Sequence, residues 1–128
     1  MPETTVKLNR IRQSAQKVRL LADMVRGKPV EWATQQLSHH SHRAARPMFK
    51  LIKSGIASAN AKNMEPSKLR IKELRVDEGR RLKRWLPAPR GRSYNIRKPT
   101  SHITLVLTDE MQNEKIKDQN EREKIKNK

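Results

Sequence analysis

The sequence predicts an α+β fold in which three helices precede a long β-hairpin. Apolar residues recur at helical spacing up to about Asn60. Two later apolar stretches, around Leu74 and Leu105, have the composition of β-strands. Between them, residues 79–98 contain eight Lys or Arg and no Asp or Glu. Because no core could hold these charges, we expect this segment to project as a hairpin arm.

The first predicted elements are an edge strand and a helix. Residues 4–11 alternate weakly between polar and apolar side chains, which indicates a strand. Ser14 is a suitable N-cap for the helix, and Arg26 and Gly27 suit its last turn and the position after its end. The apolar face of this helix consists of Val18, Leu21, Ala22 and Val25.

Two more helices are expected before residue 61. Pro29 can open a short helix that ends at the polar stretch 38–41. The next helix spans about Ser41 to Asn60 with Ser41 as its cap. Pro47 would then lie beyond the first turn, so the pattern predicts either a kink or a later start. The inward residues are Val30, Ala33 and Leu37 in the short helix, and Ala45, Met48, Phe49, Ile52, Ile56 and Ala59 in the long one.

The hairpin register follows from its turn, which we assign to residues 87–91, Pro-Ala-Pro-Arg-Gly. If the turn centres between Pro89 and Arg90, apolar residues oppose apolar ones and rings oppose rings, as register requires. The pairs are then Val76 with Ile103, Leu74 with Leu105, and Trp85 with Tyr94.

The first strand of the hairpin changes phase. Ile71 and Leu74 cannot share a face in a regular strand, so we predict a β-bulge near Lys72 and Glu73.

The ring of Trp85 has two interpretations. The register explains Trp85 as a cross-strand partner of Tyr94, and stacking on an unpaired base is the alternative. On the first interpretation, Trp85→Ala disturbs the arm more than it weakens binding to a nucleic acid.

The charge of the chain points to a polyanionic partner. The net charge is +17, and residues 1–108 hold 24 basic and 7 acidic residues, whereas residues 109–128 hold six of each. Such an excess opposes folding by self-repulsion and favours nucleic acid as partner.

From Gly79 to the turn the arm extends roughly 30 Å. An isolated ribbon is marginal in water, so we expect the arm to be ordered by a surrounding polyanion.

Membrane, metal and catalytic roles find little support. No apolar stretch has transmembrane length, the N-terminus lacks an apolar signal region, and the absence of cysteine fits a cytosolic protein. His39, His40 and His42 lack nearby Cys or carboxylate partners, which predicts a polar loop and no metal site. The sequence has no nucleotide-binding glycine loop and no nucleophile–base pattern. We therefore expect no enzyme, no cofactor and no small-molecule substrate.

Several segments resemble a known family. Residues 12–27 (RQSAQKVRLLADMVRG), 76–79 (VDEG), 83–84 (KR) and 90–106 (RGRSYNIRKPTSHITLV) together resemble the universal large-subunit ribosomal protein family L-twenty-two, of the bacterial type. The resemblance implies three helices packed on a small antiparallel sheet, with a long protruding hairpin. It also implies binding to large-subunit ribosomal RNA, bridging of RNA domains during assembly, and an arm that reaches the wall of the nascent-peptide exit tunnel.

The resemblance also assigns residues. It implies RNA contacts from Arg12, Ser14, Lys17, Arg19, Lys83, Arg84, Arg90, Arg92, Arg97, Lys98, Ser101 and His102, to which the charge of the arm adds Arg80 and Arg81. The tunnel-facing tip would comprise Lys83, Arg84, Trp85, Pro89, Arg90, Gly91 and Arg92. The implied setting is a monomer within the large subunit of the cytoplasmic ribosome, beside neighbouring ribosomal proteins and the nascent polypeptide.

The expected organisation is one domain over residues 1–108. Its body comprises residues 1–78 and 103–108, its arm residues 79–102, and residues 109–128 form a charged tail that is disordered or a frayed helix. Trp85, Pro89 and Tyr94 make the arm bulkier than the family pattern. Two alternatives stay open: a free architectural protein that binds duplex through its basic arm and wedges Pro87 or Pro89 between base steps, and a metal-dependent nuclease using Glu73, Asp77 and Glu78.

Overall fold

Three helices lie between the first strand and the other four, and the five strands form two separate antiparallel sheets. The computed structural model describes residues 3–109 and 121–126. The elements in chain order are β1 (Glu3–Ile11), α1 (Ala15–Val25), α2 (Val30–His39), α3 (Ala45–Ala61), β2 (Leu69–Glu78), β3 (Leu82–Pro87), β4 (Ser93–Lys98) and β5 (Ser101–Asp109). Single 3₁₀ turns occupy Pro66–Lys68 and Pro89–Gly91. Residues 121–126 are helical and exposed, and the rest of the predicted tail after Asp109 lies outside the described residues.

The helices form where the apolar periodicity predicts them. The Ser14 side chain accepts a hydrogen bond from the backbone N–H of Lys17 and caps α1, and Gly27 beyond its end has a left-handed φ of 76°. Helix α2 buries the three predicted residues. Helix α3 begins at Ala45, so Ser41 is not its cap and the later start predicted from Pro47 is confirmed. The later start places Pro47 in the first turn, where its missing N–H costs no intrahelical bond.

The three-stranded sheet forms the floor of the core. Its order is β1-β5-β2, with β5 in the centre. The predicted pairs Val76 with Ile103 and Leu74 with Leu105 are confirmed, and the register shifts between Ile71 and Glu73, where the bulge is predicted. The odd-numbered residues of β5 from Ser101 to Leu107 are buried, and α3 packs closely enough that a Cβ at Gly55 would lie 2.8 Å from Leu107 Cδ1.

The arm is the two-stranded sheet β3-β4, and its register differs from the prediction. Trp85 pairs with Asn95, and Tyr94 pairs with Leu86, so the predicted pairing of the two rings is wrong. The reason lies at the root of the arm. There, residues 79–81 on one side face only residues 99–100 on the other, which shifts the register by one residue.

The limits of the arm also differ from those expected. Strand β5 begins at Ser101, which pairs with Glu78, so Ser101 and His102 belong to the three-stranded sheet. Asp109 is the last residue of β5 and is buried. At the tip, Arg90 and Gly91 adopt left-handed φ values of 63° and 69°, which centres the turn on Arg90.

Candidate nucleic-acid interface

The arm joins the body through a short network of hydrogen bonds. The backbone N–H of Gly79 donates to the carbonyl oxygen of Thr100 over 2.8 Å, and the Thr100 hydroxyl donates to the Arg80 carbonyl oxygen over 2.6 Å. A Cβ at Gly79 would lie 2.6 Å from Thr100 Oγ1, so a larger residue there would displace the Thr100 hydroxyl. The network sets the direction in which the arm leaves the sheet.

The N-terminus of α1 meets the end of the arm at a cavity of about 490 Å³. The lining residues come from the β1–α1 turn, the segment before α3 and the end of β4: Arg12, Gln13, Ser14, Lys17, His42, Arg43, Lys98 and Pro99. No carboxylate is among them. Cationic side chains beside the first turn of a helix are a favourable setting for phosphate, because the helix dipole adds to their charge.

Two further cavities lie around the same root. The smaller, of about 280 Å³, is lined by Ser14, Ala15, Gln16, Glu78, Gly79, Arg81, Arg97, Pro99 and Thr100. The larger, of about 790 Å³, is lined by Asn9, Arg10, Arg12, Arg80, Leu82, Thr100 and His102. We call the residues that line the three cavities the root collar. Glu78 is the one carboxylate in this collar, which contains eight Lys or Arg.

His102 is held in one orientation within the collar. The backbone N–H of Arg10 donates to His102 Nδ1 over 3.1 Å. Arg10 can do this because it has a left-handed φ of 62° at the irregularity of β1 between Leu8 and Ile11. With Nδ1 accepting, a neutral His102 ring carries its proton on Nε2, so that nitrogen is a donor.

The remaining predicted residues of the arm lie beyond the collar. All of them are exposed: Lys83, Arg84, Trp85, Pro89, Arg90, Gly91 and Arg92. Strands β3 and β4 and their turn contain no Asp or Glu. The cations of the arm therefore have no anionic partner within the arm itself.

Two residues predicted to contact RNA, Arg19 and Ser101, also make contacts within the fold. Arg19 donates from Nε and Nη2 to the Val76 carbonyl oxygen over 3.3 and 3.1 Å, which ties α1 to the edge strand β2. Arg26 likewise donates from Nε and Nη2 to the Leu74 carbonyl oxygen, over 3.2 and 2.8 Å. Ser101 is fully buried between Ile11 and Glu78 in the sheet. Neither Arg19 nor Ser101 lines the collar.

Among the Lys, Arg and His residues of the collar, the sequence-based prediction missed three, Arg10, His42 and Arg43. Arg10 lies two positions before Arg12, and this proximity could have revealed it. His42 and Arg43 follow the polar stretch 38–41 and reach the site only because α3 starts beside the root. No local pattern in the sequence shows that.

Two features are absent from the part of the chain that the structure describes. Residues 3–109 and 121–126 contain no cluster of three or more His, Cys, Asp or Glu side chains that could hold a metal ion. The His40 and His42 rings lie 4.5 Å apart in a tilted arrangement. Within the same ranges, no helix has both the length and the apolar character needed to cross a bilayer.

Comparison with known proteins identifies the family. The family described as "Ribosomal protein L22p/L17e" matches residues 6–108, which include all three long helices and both sheets almost completely. The chain belongs to this ribosomal protein family. The resemblance noted from the sequence motifs and the predicted α+β fold are both confirmed.

Individual relatives of this ribosomal protein agree. A protein of Mesoplasma florum, named large ribosomal subunit protein uL22, is 46% identical over 109 residues, covering 84% of this chain and 97% of the relative. A Christiangramia forsetii protein of the same name is 47% identical over 105 residues, or 79% of this chain and 78% of the relative. The Trichlorobacter lovleyi protein of that name is 44% identical over 108 residues.

Proposed function

We propose that this ribosomal protein is a structural constituent of the large subunit of the cytoplasmic ribosome and binds large-subunit ribosomal RNA through the root collar and the arm. The observation that carries the proposal is the collar itself. The fold brings eight Lys or Arg from several separate segments around one root, with Glu78 as the one carboxylate lining it. Relatives named as large-subunit proteins support this assignment.

The mechanism is charge neutralisation combined with shape. Phosphates of separate RNA segments repel one another, and cations between them lower that repulsion. The collar would hold one RNA segment at the root while the arm, whose charges are uncompensated, extends between others. Its contribution is largest during assembly, when RNA segments are least neutralised by other proteins. No catalytic group and no cofactor are needed.

The arm is proposed to reach the wall of the nascent-peptide exit tunnel. Its tip, from Lys83 to Arg92, would lie near the nascent polypeptide, while the helical body stays on the outer RNA surface beside neighbouring ribosomal proteins. The protein would act there as a monomer. The separate two-stranded sheet of the arm, joined to the body at a short root, fits such a position.

Neutralising the collar tests the RNA assignment. In the full chain, Arg12→Gln, Lys17→Gln and Lys98→Gln together should weaken binding to large-subunit ribosomal RNA by at least tenfold, since each removes one phosphate contact. The matched control also removes three charges by neutralising Lys68, Lys72 and Arg75, which lie outside the collar and pair with Glu65, Glu3 and Asp77. Equal affinities for both variants would contradict the proposal.

Removing the tip tests the role of the arm. Deletion of residues 83–92 should leave the body folded but slow subunit assembly or alter the tunnel, visible in sedimentation profiles and in particle structures. Normal subunits with a normal tunnel would contradict this role. Recovery of the intact protein on genomic DNA, and not with subunits after a high-salt wash, would favour the alternative architectural function.

A further inference from the structure

The register gives the arm two different faces. Directly paired residues share a face of a β-ribbon, and successive pairs alternate between faces. One face carries Lys83 with Arg97, Trp85 with Asn95, and Pro87 with Ser93. The other face carries Leu82 with Lys98, Arg84 with Ile96, and Leu86 with Tyr94. Trp85 and Tyr94 therefore point in opposite directions.

The two exposed rings differ in what the fold provides for them. Tyr94 is 62% exposed and lies opposite Leu86, an apolar cross-strand pair that stabilises the ribbon. Trp85 is 67% exposed and lies opposite the polar Asn95. Within residues 3–109 and 121–126, no ring or cation–π contact involves Trp85, whereas Lys28 Nζ lies 5.7 Å from the Trp32 ring. Packing within the chain therefore does not account for Trp85.

The neighbouring pair on the face of Trp85 attracts an anion. Lys83 and Arg97 are directly opposite each other, and like charges in that position repel. No carboxylate of the arm can relieve this repulsion, because β3, β4 and their turn contain none. This pair lies two residues from Trp85 along the strand, or about 7 Å. One nucleotide spans a comparable distance from its phosphate to its base.

We propose that Lys83, Trp85, Asn95 and Arg97 form a site for one unpaired nucleotide of RNA. The Trp85 indole stacks on the base, because every base offers a π-face to an aromatic ring. The Asn95 amide, which has both donors and an acceptor, hydrogen-bonds the base edge. The Lys83–Arg97 pair holds the phosphate. The inference rests on the proposed RNA-binding function and adds to it a ligand class and an orientation of the arm.

The exposed ring on the opposite face provides a matched control. The full chain is titrated with a single-stranded oligouridine of ten nucleotides, as wild type, Trp85→Ala, Trp85→Phe and Tyr94→Ala. Loss of one base stack should weaken binding by about tenfold in Trp85→Ala. Trp85→Phe should stay within about threefold of wild type, and Tyr94→Ala within about twofold. Equal losses from Trp85→Ala and Tyr94→Ala, or no loss from Trp85→Ala, would overturn the proposal.

Fluorescence reports on the stack directly. Trp32→Phe leaves Trp85 as the single tryptophan, since the chain has two. Its emission should be quenched on addition of the oligouridine, and quenching should fail when the same strand carries abasic positions. Quenching that is equal with abasic RNA would show that no base stacks on Trp85.

Two further comparisons distinguish failure of this proposal from failure of the proposed function, and distinguish an RNA ligand from a peptide ligand. If the collar variant loses affinity for ribosomal RNA and Trp85→Ala does not, the nucleotide site is wrong while the RNA-binding function stands. If neither variant loses affinity, the proposed function itself is wrong. A photoreactive residue at position 85 should crosslink to RNA inside isolated particles. Crosslinks to polypeptide alone would overturn the nucleotide site.

Discussion

The hydroxyl of Thr100 donates a hydrogen bond of 2.6 Å to the backbone carbonyl oxygen of Arg80, across the root of the arm. Regular pairing is interrupted at this point, between Glu78–Ser101 and Leu82–Lys98. A side chain thus takes the place of a backbone donor where the two strands have unequal numbers of residues. Thr100 therefore connects the arm to the body.

Loss of this hydroxyl should loosen the root. Thr100→Val keeps the shape of the side chain but leaves the Arg80 carbonyl without this donor, at a cost of about 1 kcal/mol in the free energy of unfolding. The amide of Gly79, which donates to Thr100, should exchange its hydrogen faster. Thr100→Ser keeps the hydroxyl and serves as the control. Indistinguishable exchange rates at Gly79 in the Val and Ser variants would contradict this role.

Gly79→Ala should also disturb the root. The added Cβ would lie 2.6 Å from Thr100 Oγ1 and 3.0 Å from His102 Nε2, so the Thr100–Arg80 bond must shift or break. We expect a loss of about 1–3 kcal/mol, measured by chemical denaturation. In a Thr100→Ala background, where the nearest atom is absent, the same change should cost less than half as much. Additive losses in the double variant would show that the clash is not with Thr100.

Arg26 should contribute to stability without RNA. Its guanidinium donates twice to the Leu74 carbonyl oxygen and also pairs with Asp23, while 44% of its side chain remains exposed. Arg26→Ala should lower the free energy of unfolding by about 1 kcal/mol, and Arg26→Lys should recover less than half, since an ammonium lacks the planar fork. The control is Arg75→Ala, which removes an exposed pair and should cost less than about 0.5 kcal/mol. Equal effects of the two alanine variants would contradict this prediction.

Substitution of Arg19 tests whether this residue stabilises the fold or contacts RNA. If its bonds to Val76 hold α1 on the sheet, Arg19→Ala destabilises the RNA-free protein by about 1 kcal/mol. Unfolding curves of the purified chain measure this loss. Unchanged stability together with weaker RNA binding would instead support the contact that the family resemblance implies.

The cations of the tip should appear in the salt dependence of RNA binding. Replacing Lys83, Arg84, Arg90 and Arg92 with Gln removes four charges and keeps the length of the arm. If each contacts a phosphate, the slope of log K against log salt becomes shallower by about 3. Filter binding at several salt concentrations measures the slope. An unchanged slope would mean that these side chains stay in solvent.

Much of the body could be predicted because its signals are local. The apolar positions of α1 and α2 recur at helical spacing, and the phase change between Ile71 and Leu74 reveals a bulge that the structure contains. Ser41 is a good cap in isolation, but Pro47 is tolerated only in a first turn. The capping preference of Ser41 and the position that Pro47 tolerates within a helix favour different starts, and α3 takes the later start that Pro47 predicts.

The sequence by itself determined the helices, the register of the body and the presence of an arm that is basic throughout, because side-chain periodicity and charge are properties of neighbouring residues. Only the tertiary structure decided which faces of the arm carry Trp85 and Tyr94, since one additional residue at the root reverses the alternation. The tertiary structure also determined which residues form the collar, since Arg10, Arg12, Arg43 and Lys98 come together there from distant parts of the chain. Such proximity depends on how helices pack on a sheet, which no local pattern encodes.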